Sequence, residues 1–298
     1  MKLIYSDEYS KVDIGEHVFP VLKYRLIKEK LLEEGIVKKN DFIEPEPIKD
    51  EELLLVHTEE YIEKLKNGKL SFEEELKLEI PYSPQLYLAS KICVNGTIIA
   101  LEFALKEGIG IHIGGGFHHA YPDHGEGFCV LNDIAVAIKK IKKEGKIKKA
   151  VVIDCDLHQG NGTAFIFKND TDTFTFSIHQ ENLYPVPKER SNLDIGLKDG
   201  TGDDEYMELL EKYIPEILDK FKPDACIYQA GVDPYKEDQL GNLNLTKDGL
   251  KMRDEFIIEN LRKRNIPTAI TLGGGYSPNI LDTVSLHIQT IKTAIKKY

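Results

Sequence analysis

Asp154-Cys155-Asp156-Leu157-His158 is the stretch of this 298-residue chain whose spacing points most directly to chemistry. In extended backbone, alternate side chains face the same way, so Asp154, Asp156 and His158 share a face while Cys155 and Leu157 turn from it. A carboxylate and an imidazole so placed can chelate one divalent ion, and Asp233, arriving from another segment, can supply a third ligand. Three protein ligands and an open position suit a catalytic zinc site rather than a structural one. The oxygen-rich donor set also suits Fe2+, Mn2+ or Co2+. The competing reading is a surface turn carrying a structural histidine. His118-His119 follows Gly114-Gly115-Gly116-Phe117, and tandem imidazoles there suit acid–base work on a metal-activated water, unless one ring merely fills space. Asp154, expected one strand over, and Asn161 in H-Q-G-N-G are available to fix their tautomers. Tyr276 follows Gly273-Gly274-Gly275. A phenol beside a metal can donate to a carbonyl oxygen and stabilise its oxyanion. The chain has 14 tyrosines, so position and not residue type singles this one out. Phe128, in Gly125-Glu126-Gly127-Phe128-Cys129, and Tyr184 either line an apolar channel or are core aromatics. His17, His57, His112, His124 and His287 receive no role.

These residues need elements that bring them together. Five short β-rich runs stand out: Gly110–Ile113, Ala150–Ile153, Thr173–Ile178, Ala225–Gln229 and Thr268–Leu272. Charged segments of helical period alternate with them, at Pro20–Glu34, Thr58–Leu65, Asn132–Ile141, Asp203–Phe221 and Thr246–Arg264. The alternation predicts a mostly parallel sheet with helices on both faces. Parallel sheets bind ligands at the carboxyl edge of their strands. The His pair, the Asp-rich segment, Ser177-Ile178, Asp233 and Tyr276 all follow or end such runs, so one edge collects them.

The composition fits a soluble globular protein and not a disordered or membrane chain: 41% hydrophobic and 30% charged residues, with a formal charge of −11. The acidic balance argues against a phosphate-backbone binder and fits basic partners such as Lys-rich peptides or polyamines. Continuous apolar runs fall short of the roughly 18 residues that a membrane span needs. The first residues do not read as a signal peptide. Four scattered cysteines without a C-x-x-C pair suit a reducing cytoplasm. The abundance of charge, with three Met and no Trp, leans toward a heat-adapted source.

I-G-G-G-F-H-H-A, G-E-G-F-C-V-L-N-D, I-D-C-D-L-H-Q-G-N-G, Q-A-G-V-D-P and L-G-G-G-Y, in this order, resemble the motif series of the zinc-dependent histone deacetylase family, from about Lys11 to Ser277. H-Q-G-N-G, H-V-F-P at His17–Pro20 and G-T-G-D-D-E-Y at Gly200–Tyr206 most resemble class IV deacetylases and their bacterial homologues. The resemblance implies a single catalytic domain over residues 1–298 with the α/β arginase–deacetylase fold. It implies Asp156, His158 and Asp233 as zinc ligands, His119 as general base and then acid, and His118 as its electrostatic partner, oriented by Asp154. Asn161 would orient His119 and Tyr276 would polarise the acyl carbonyl. Gly127 would accept from the substrate N–H, and Phe128 and Tyr184 would wall the acyl-lysine tunnel. Asp154, Asp156, His158, Ser177 and Ile178 match a K+ or Na+ site beside the zinc. Arg25 would lie near an inner product channel. Many relatives carry Asp where this chain has Asn161, which can orient His119 but cannot charge-stabilise its imidazolium. The loop around Pro81–Ser83 offers no aspartate to clamp a peptide backbone.

The expected activity is hydrolysis of acyl-lysine, acetyl or longer, by a metal-dependent amidohydrolase in the cytoplasm, without nucleic-acid or membrane partners. An acetylpolyamine amidohydrolase, a non-catalytic acyl-lysine-binding module and a ureohydrolase-like binuclear manganese enzyme are the alternatives. The last would need further bridging carboxylates, for which Asp154 is the spare candidate.

Overall fold

β-branched runs in the chain pair side by side, every one in parallel. In the computed structural model, which describes residues 2–297, eight strands form one sheet. They are β1 (Leu3–Ile4), β2 (Phe42–Ile43), β3 (Ile109–His112), β4 (Ala150–Asp154), β5 (Thr173–Gln180), β6 (Leu193–Leu197), β7 (Ala225–Gln229) and β8 (Thr268–Thr271). Their order is β2-β1-β3-β8-β7-β4-β5-β6. The helices are α1 (Lys23–Glu33), α2 (Asp50–Leu53), α3 (Glu59–Asn67), α4 (Phe72–Leu78), α5 (Pro84–Glu107), α6 (Asp133–Lys143), α7 (Asn161–Phe167), α8 (Asp203–Phe221), α9 (Lys247–Lys263) and α10 (Ile280–Lys297).

The period-2 pattern of the strands divides the core. Val151, Ile153, Cys226, Tyr228 and Ile270 pack against α1, α8, α9 and α10, whereas Ala150, Val152, Ala225, Ile227 and Ala269 pack against α5 and α6. Both faces of the sheet are therefore covered, as all-parallel pairing requires. All five strands read from the sequence are present, with ends shifted by two residues at most. The two-residue β1 and β2 and the half-exposed β6 carry too little apolar periodicity to be read.

Side chains cap three of the helices: Thr58, Asn132 and Thr246 accept from the backbone N–H of Tyr61, Ala135 and Gly249. The longest helix, α5, was not read as one. It is buried on most sides between α6, β3 and β8 and so lacks an amphipathic stripe. Lys91 and Glu102 keep its continuous apolar run short, as expected, although α5 as a whole is long enough and on average apolar enough to cross a bilayer. Its buried face instead belongs to the core of this chain. At Gly110 a Cβ would sit 1.9 Å from the Ala100 carbonyl oxygen, so glycine lets α5 lie directly on β3.

Candidate active site

Strands β3, β8, β7 and β4 lie side by side, and the segments leaving their carboxyl ends meet. The residues after β3 do not rise from the sheet. They cross it: Gly114 O accepts from Leu272 N and Gly115 O from Gly273 N, each at 3.3 Å, and Gly116 O accepts from Gln229 Nε2 at 2.8 Å. The crossing brings His118 Nδ1 to 2.7 Å from Asp154 Oδ2. Asp154 is thus three strands from β3, not one as expected, and the glycine run spans the gap. A Cβ at Gly116 would lie 2.1 Å from Gln229 Oε1, so only glycine passes that close. Asp133, at the start of α6, accepts from Gly116 N at 3.0 Å and Phe117 N at 2.8 Å, pinning the end of the crossing.

Asp156, His158 and Asp233 converge, with their ligand atoms within 4.8 Å of one another. The expected reason for that convergence, a shared strand face, is not the observed one. β4 ends at Asp154, and two successive side-chain turns follow: Asp156 N donates to Asp154 Oδ1 and His158 N to Asp156 Oδ1, each at 3.1 Å. Asp233 closes the cluster from β7, accepting from Leu157 N at 3.0 Å. His158 Nδ1 lies 3.4 Å from Asp156 Oδ1 and 3.2 Å from Asp233 Oδ2. Donors about 2.0–2.1 Å from a tetrahedral ion are about 3.3 Å apart, so these spacings fit one divalent cation. Burial and the charge of Asp156 push the Asp233 carboxyl up to about 7. A cation there would take the place of the protons this crowded acid cluster otherwise attracts.

Two imidazoles and a phenol border the cluster. His118 Nε2 lies 3.1 Å from His119 Nε2, and His119 Nδ1 lies 2.6 Å from Asn161 Oδ1. Burial opposes protonation of His118, but Asp154 and Asp156 outweigh it and lift the group to about 9. His119 goes the other way: burial and the neighbouring His118 and His158 hold it well below the usual range. Adjacent histidines of opposite character suit a neutral base beside a charged partner. The Tyr276 ring packs 6.4 Å from His158, 6.1 Å from Phe128 and 6.2 Å from Phe19. Burial, Asp156 and Asp233 keep its phenol protonated and therefore a donor. Its backbone N–H is held by Asp238 Oδ2 at 2.6 Å.

Gly127 and Phe128 line the same pocket. Their loop is strapped to the end of α4, with Gly127 N donating to Lys77 O and Phe128 N to Leu78 O. Phe128 has φ 68°, a conformation a bulky residue adopts only when its surroundings impose it. Tyr184 stands edge-on to His119, 5.0 Å between centroids. Ser177 pairs in register with Asp154 across β5 and β4, and its hydroxyl meets His179 Nδ1 at 2.9 Å. Ile178 is buried in the core. Arg25 is not at the pocket: it is half exposed and faces Glu29 at 3.6 Å. Two positions earlier on the same helix, Lys23 is fully buried and donates to Gly273 O at 2.7 Å. One turn position separates the outward from the inward face. His17, given no role, sits edge-on to Phe128 at 4.9 Å.

Several participants escaped sequence reasoning. Arg253, fully buried in α9, donates to Gly231 O at 2.6 Å and Cys155 O at 3.2 Å, so one guanidinium holds both ligand-bearing loops. Lys23 and Arg253 sit in ordinary helical patterns, and nothing in those patterns marks them as buried. A second cluster, Cys93, His112 and Asp133, also has metal-ligand spacing. Its polar atoms are engaged with Thr97, Tyr9 and the N–H groups of Gly115 and Gly116, which is the arrangement of a structural network.

The histone deacetylase domain matches residues 17–291 of the chain. An uncharacterized protein of Picosynechococcus is 37% identical over 96% of this chain and 95% of its own length. Histone deacetylase 2 of Arabidopsis thaliana is 29% identical, covering 98% of this chain and 78% of its own length. A crystal structure of an HDAC homolog from Aquifex aeolicus superposes with a TM-score of 0.83 at 28% identity, over 98% of this chain and 83% of that one.

Proposed function

The chain belongs to the histone deacetylase domain family, a family of hydrolases acting on amide bonds, and from that premise we propose a zinc-dependent deacylase that releases acyl groups from lysine side chains. One observation carries the proposal: His118, His119, Tyr276 and Asp156 line one pocket, and Asp156 belongs to the Asp156–His158–Asp233 cluster just behind it. Asp156, His158 and Asp233 would hold the cation, whose Lewis acidity would act on the amide carbonyl and on a water molecule.

His119 takes the proton of the attacking water on Nε2, the ring nitrogen that does not face Asn161, and later gives it to the leaving amine. His118, held charged by Asp154, stabilises the negative charge that develops beside it. Tyr276 donates to the carbonyl oxygen as it becomes an oxyanion. Asn161 keeps the His119 ring in place. Phe128 and Tyr184 flank the lysine methylenes, and the Gly127 carbonyl receives the substrate N–H. An apolar cavity lined by Val12, Ile14, Ile80 and Leu86 shares Phe19, Tyr24, Phe117 and Phe128 with the pocket, which supports room for acyl groups beyond acetyl. The carrier is a basic molecule, in keeping with the net charge of −11. Asp154, Asp156, His158, Ser177 and Ile178 are our candidates for a K+ or Na+ site behind the ligand loop. Four buried free cysteines support a reducing compartment, the cytoplasm.

The test is metal analysis of the purified protein together with a panel of acetyl-lysine peptides, longer acyl-lysine peptides and acetylpolyamines, each with and without chelator. Turnover of acyl-lysine that chelator abolishes and Zn2+ restores is the expected result. Turnover of acetylpolyamines alone would reassign the carrier, and metal-independent turnover would remove the mechanism.

A further inference from the structure

Glu126 stands one residue behind His119. Its Oε1 accepts from Asn161 Nδ2 and from Tyr184 OH, each at 2.7 Å. Its Oε2 lies 3.3 Å from His124 Nε2, and His124 Nδ1 lies 2.8 Å from Asp123 Oδ1. With Asn161 Oδ1 2.6 Å from His119 Nδ1, a continuous chain of polar contacts runs from His119 through Asn161, Glu126 and His124 to Asp123 at the surface.

An amide is nearly symmetric in shape, so Asn161 alone does not decide which end faces His119. An ionised carboxylate only accepts, so Glu126 takes the NH2 end and turns the carbonyl toward the ring. A carbonyl also only accepts, so the His119 proton resides on Nδ1, and the lone pair is left on Nε2, the atom that lies 3.1 Å from His118 Nε2. Charge follows the same route. A proton on His119 during turnover places a cation against an amide that a carboxylate already polarises, and such chained hydrogen bonds strengthen one another. Burial works against ionisation of Glu126, but the bonds from His124, Tyr184 and Asn161 outweigh it and hold the carboxyl below its usual range. The other charged neighbours are Glu79, pushed up by burial and by Glu126 itself, and Lys77, which faces His124. Tyr121 stacks on His124 at 4.7 Å and donates to Glu189 at 3.2 Å.

We propose that Glu126 is a positioning residue for His119, acting through Asn161: it fixes the orientation of the amide, and so the tautomer of the base, and it supplies the negative charge that Asn161 lacks. The proposal rests on the reading of His119 as the base.

Glu126→Gln keeps the shape and removes the charge. In the zinc-reconstituted protein we expect kcat to fall roughly tenfold to a hundredfold with KM little changed, by analogy with other partners that orient reactive imidazoles. The acid limb of the kcat/KM profile moves to lower pH, because His119 loses a stabilising charge. The double variant E126Q/N161D carries the carboxylate at 161 and an amide donor behind it, and it recovers to within about threefold of wild type, since the orienting contact and the charge are both restored. Nitrogen-15 NMR of the wild-type histidines, without substrate, reads the tautomer directly, and we expect the His119 proton on Nδ1. A proton on Nε2 in wild type, or wild-type kcat and pH profile in E126Q, overturns the proposal. If wild type hydrolyses no acyl-lysine, the functional reading falls, while the tautomer measurement still decides the orienting role.

Discussion

Lys23 offers a sharp test of how the interior under the pocket is wired. Its ammonium is fully buried, donates to Gly273 O, and lies 5.4–5.7 Å from the ring centroids of Phe19, Tyr24 and Tyr276. Burial lowers its pKa from 10.5 to about 8, against the pull of Asp233, Asp156 and Asp238. A folded-state value below the unfolded one means that, between about pH 8 and pH 10.5, the unfolded chain holds a proton the folded chain has released. Stability therefore rises with pH across that window and is lost as pH falls through 8. The difference of about 2.5 pH units corresponds to about 3 kcal/mol. Lys23→Met keeps the apolar stem and removes the titration. At pH 7 the relief of a buried charge and the lost bond to Gly273 O offset each other, so stability changes by less than about 2 kcal/mol. The measurement is urea unfolding of both chelator-treated proteins from pH 7 to 10.5. Wild type should gain about 2–3 kcal/mol relative to the variant across the window. Parallel curves would refute the reasoning, because they would mean that the ammonium is solvated or never ionised in the folded chain.

Other outcomes follow from the same contacts. Tyr276→Phe should lower kcat by about 10²–10³-fold, the loss of one oxyanion donor, while the urea midpoint stays put because the ring packing and the Asp238 bond persist; an unchanged kcat rules out the donor role. Gly116→Ala should abolish turnover or folding, since its Cβ would meet Gln229 Oε1 at 2.1 Å, whereas Gly145→Ala, with nothing within 4 Å, should cost only about 1 kcal/mol for its positive φ; equal effects in thermal melts would contradict the account of the crossing. Asp133→Ala, which removes acceptors from Gly116 N, Phe117 N and Thr97 Oγ1, should destabilise by about 2–4 kcal/mol in urea titrations, and a change under 1 kcal/mol would show that the crossing is held by other means.

The fold was legible wherever apolar residues alternate or recur at helical spacing. β7 and α8 match their sequence readings residue for residue. Buried α5 was not legible, because a helix surrounded by protein has no polar face to set its phase. For the candidate site, residue types after strand ends singled out Asp156, His158, Asp233, the His pair and Tyr276, which the structure brings together, although strand alternation was the wrong reason for the first two. Two side-chain turns, not pleating, aim them. Glu126, Lys23 and Arg253 were invisible for a common reason. Each is a charged residue in a segment where charge normally faces water, and only the packing of distant segments shows what each one touches.

Arg253 links two parts of the molecule that a view of the pocket alone would keep apart. Its guanidinium grips the Gly231 and Cys155 carbonyls from the middle of α9, so the helix cannot fray without releasing the two stretches that carry Asp233 and Asp156. If the cluster binds a cation, amide exchange along Lys247–Lys263 should slow on adding it, and exchange unchanged by Zn2+ would break this link. The leverage also runs outward: better helix formers on the solvent side of α9 should firm both carbonyl contacts without altering a residue of the pocket.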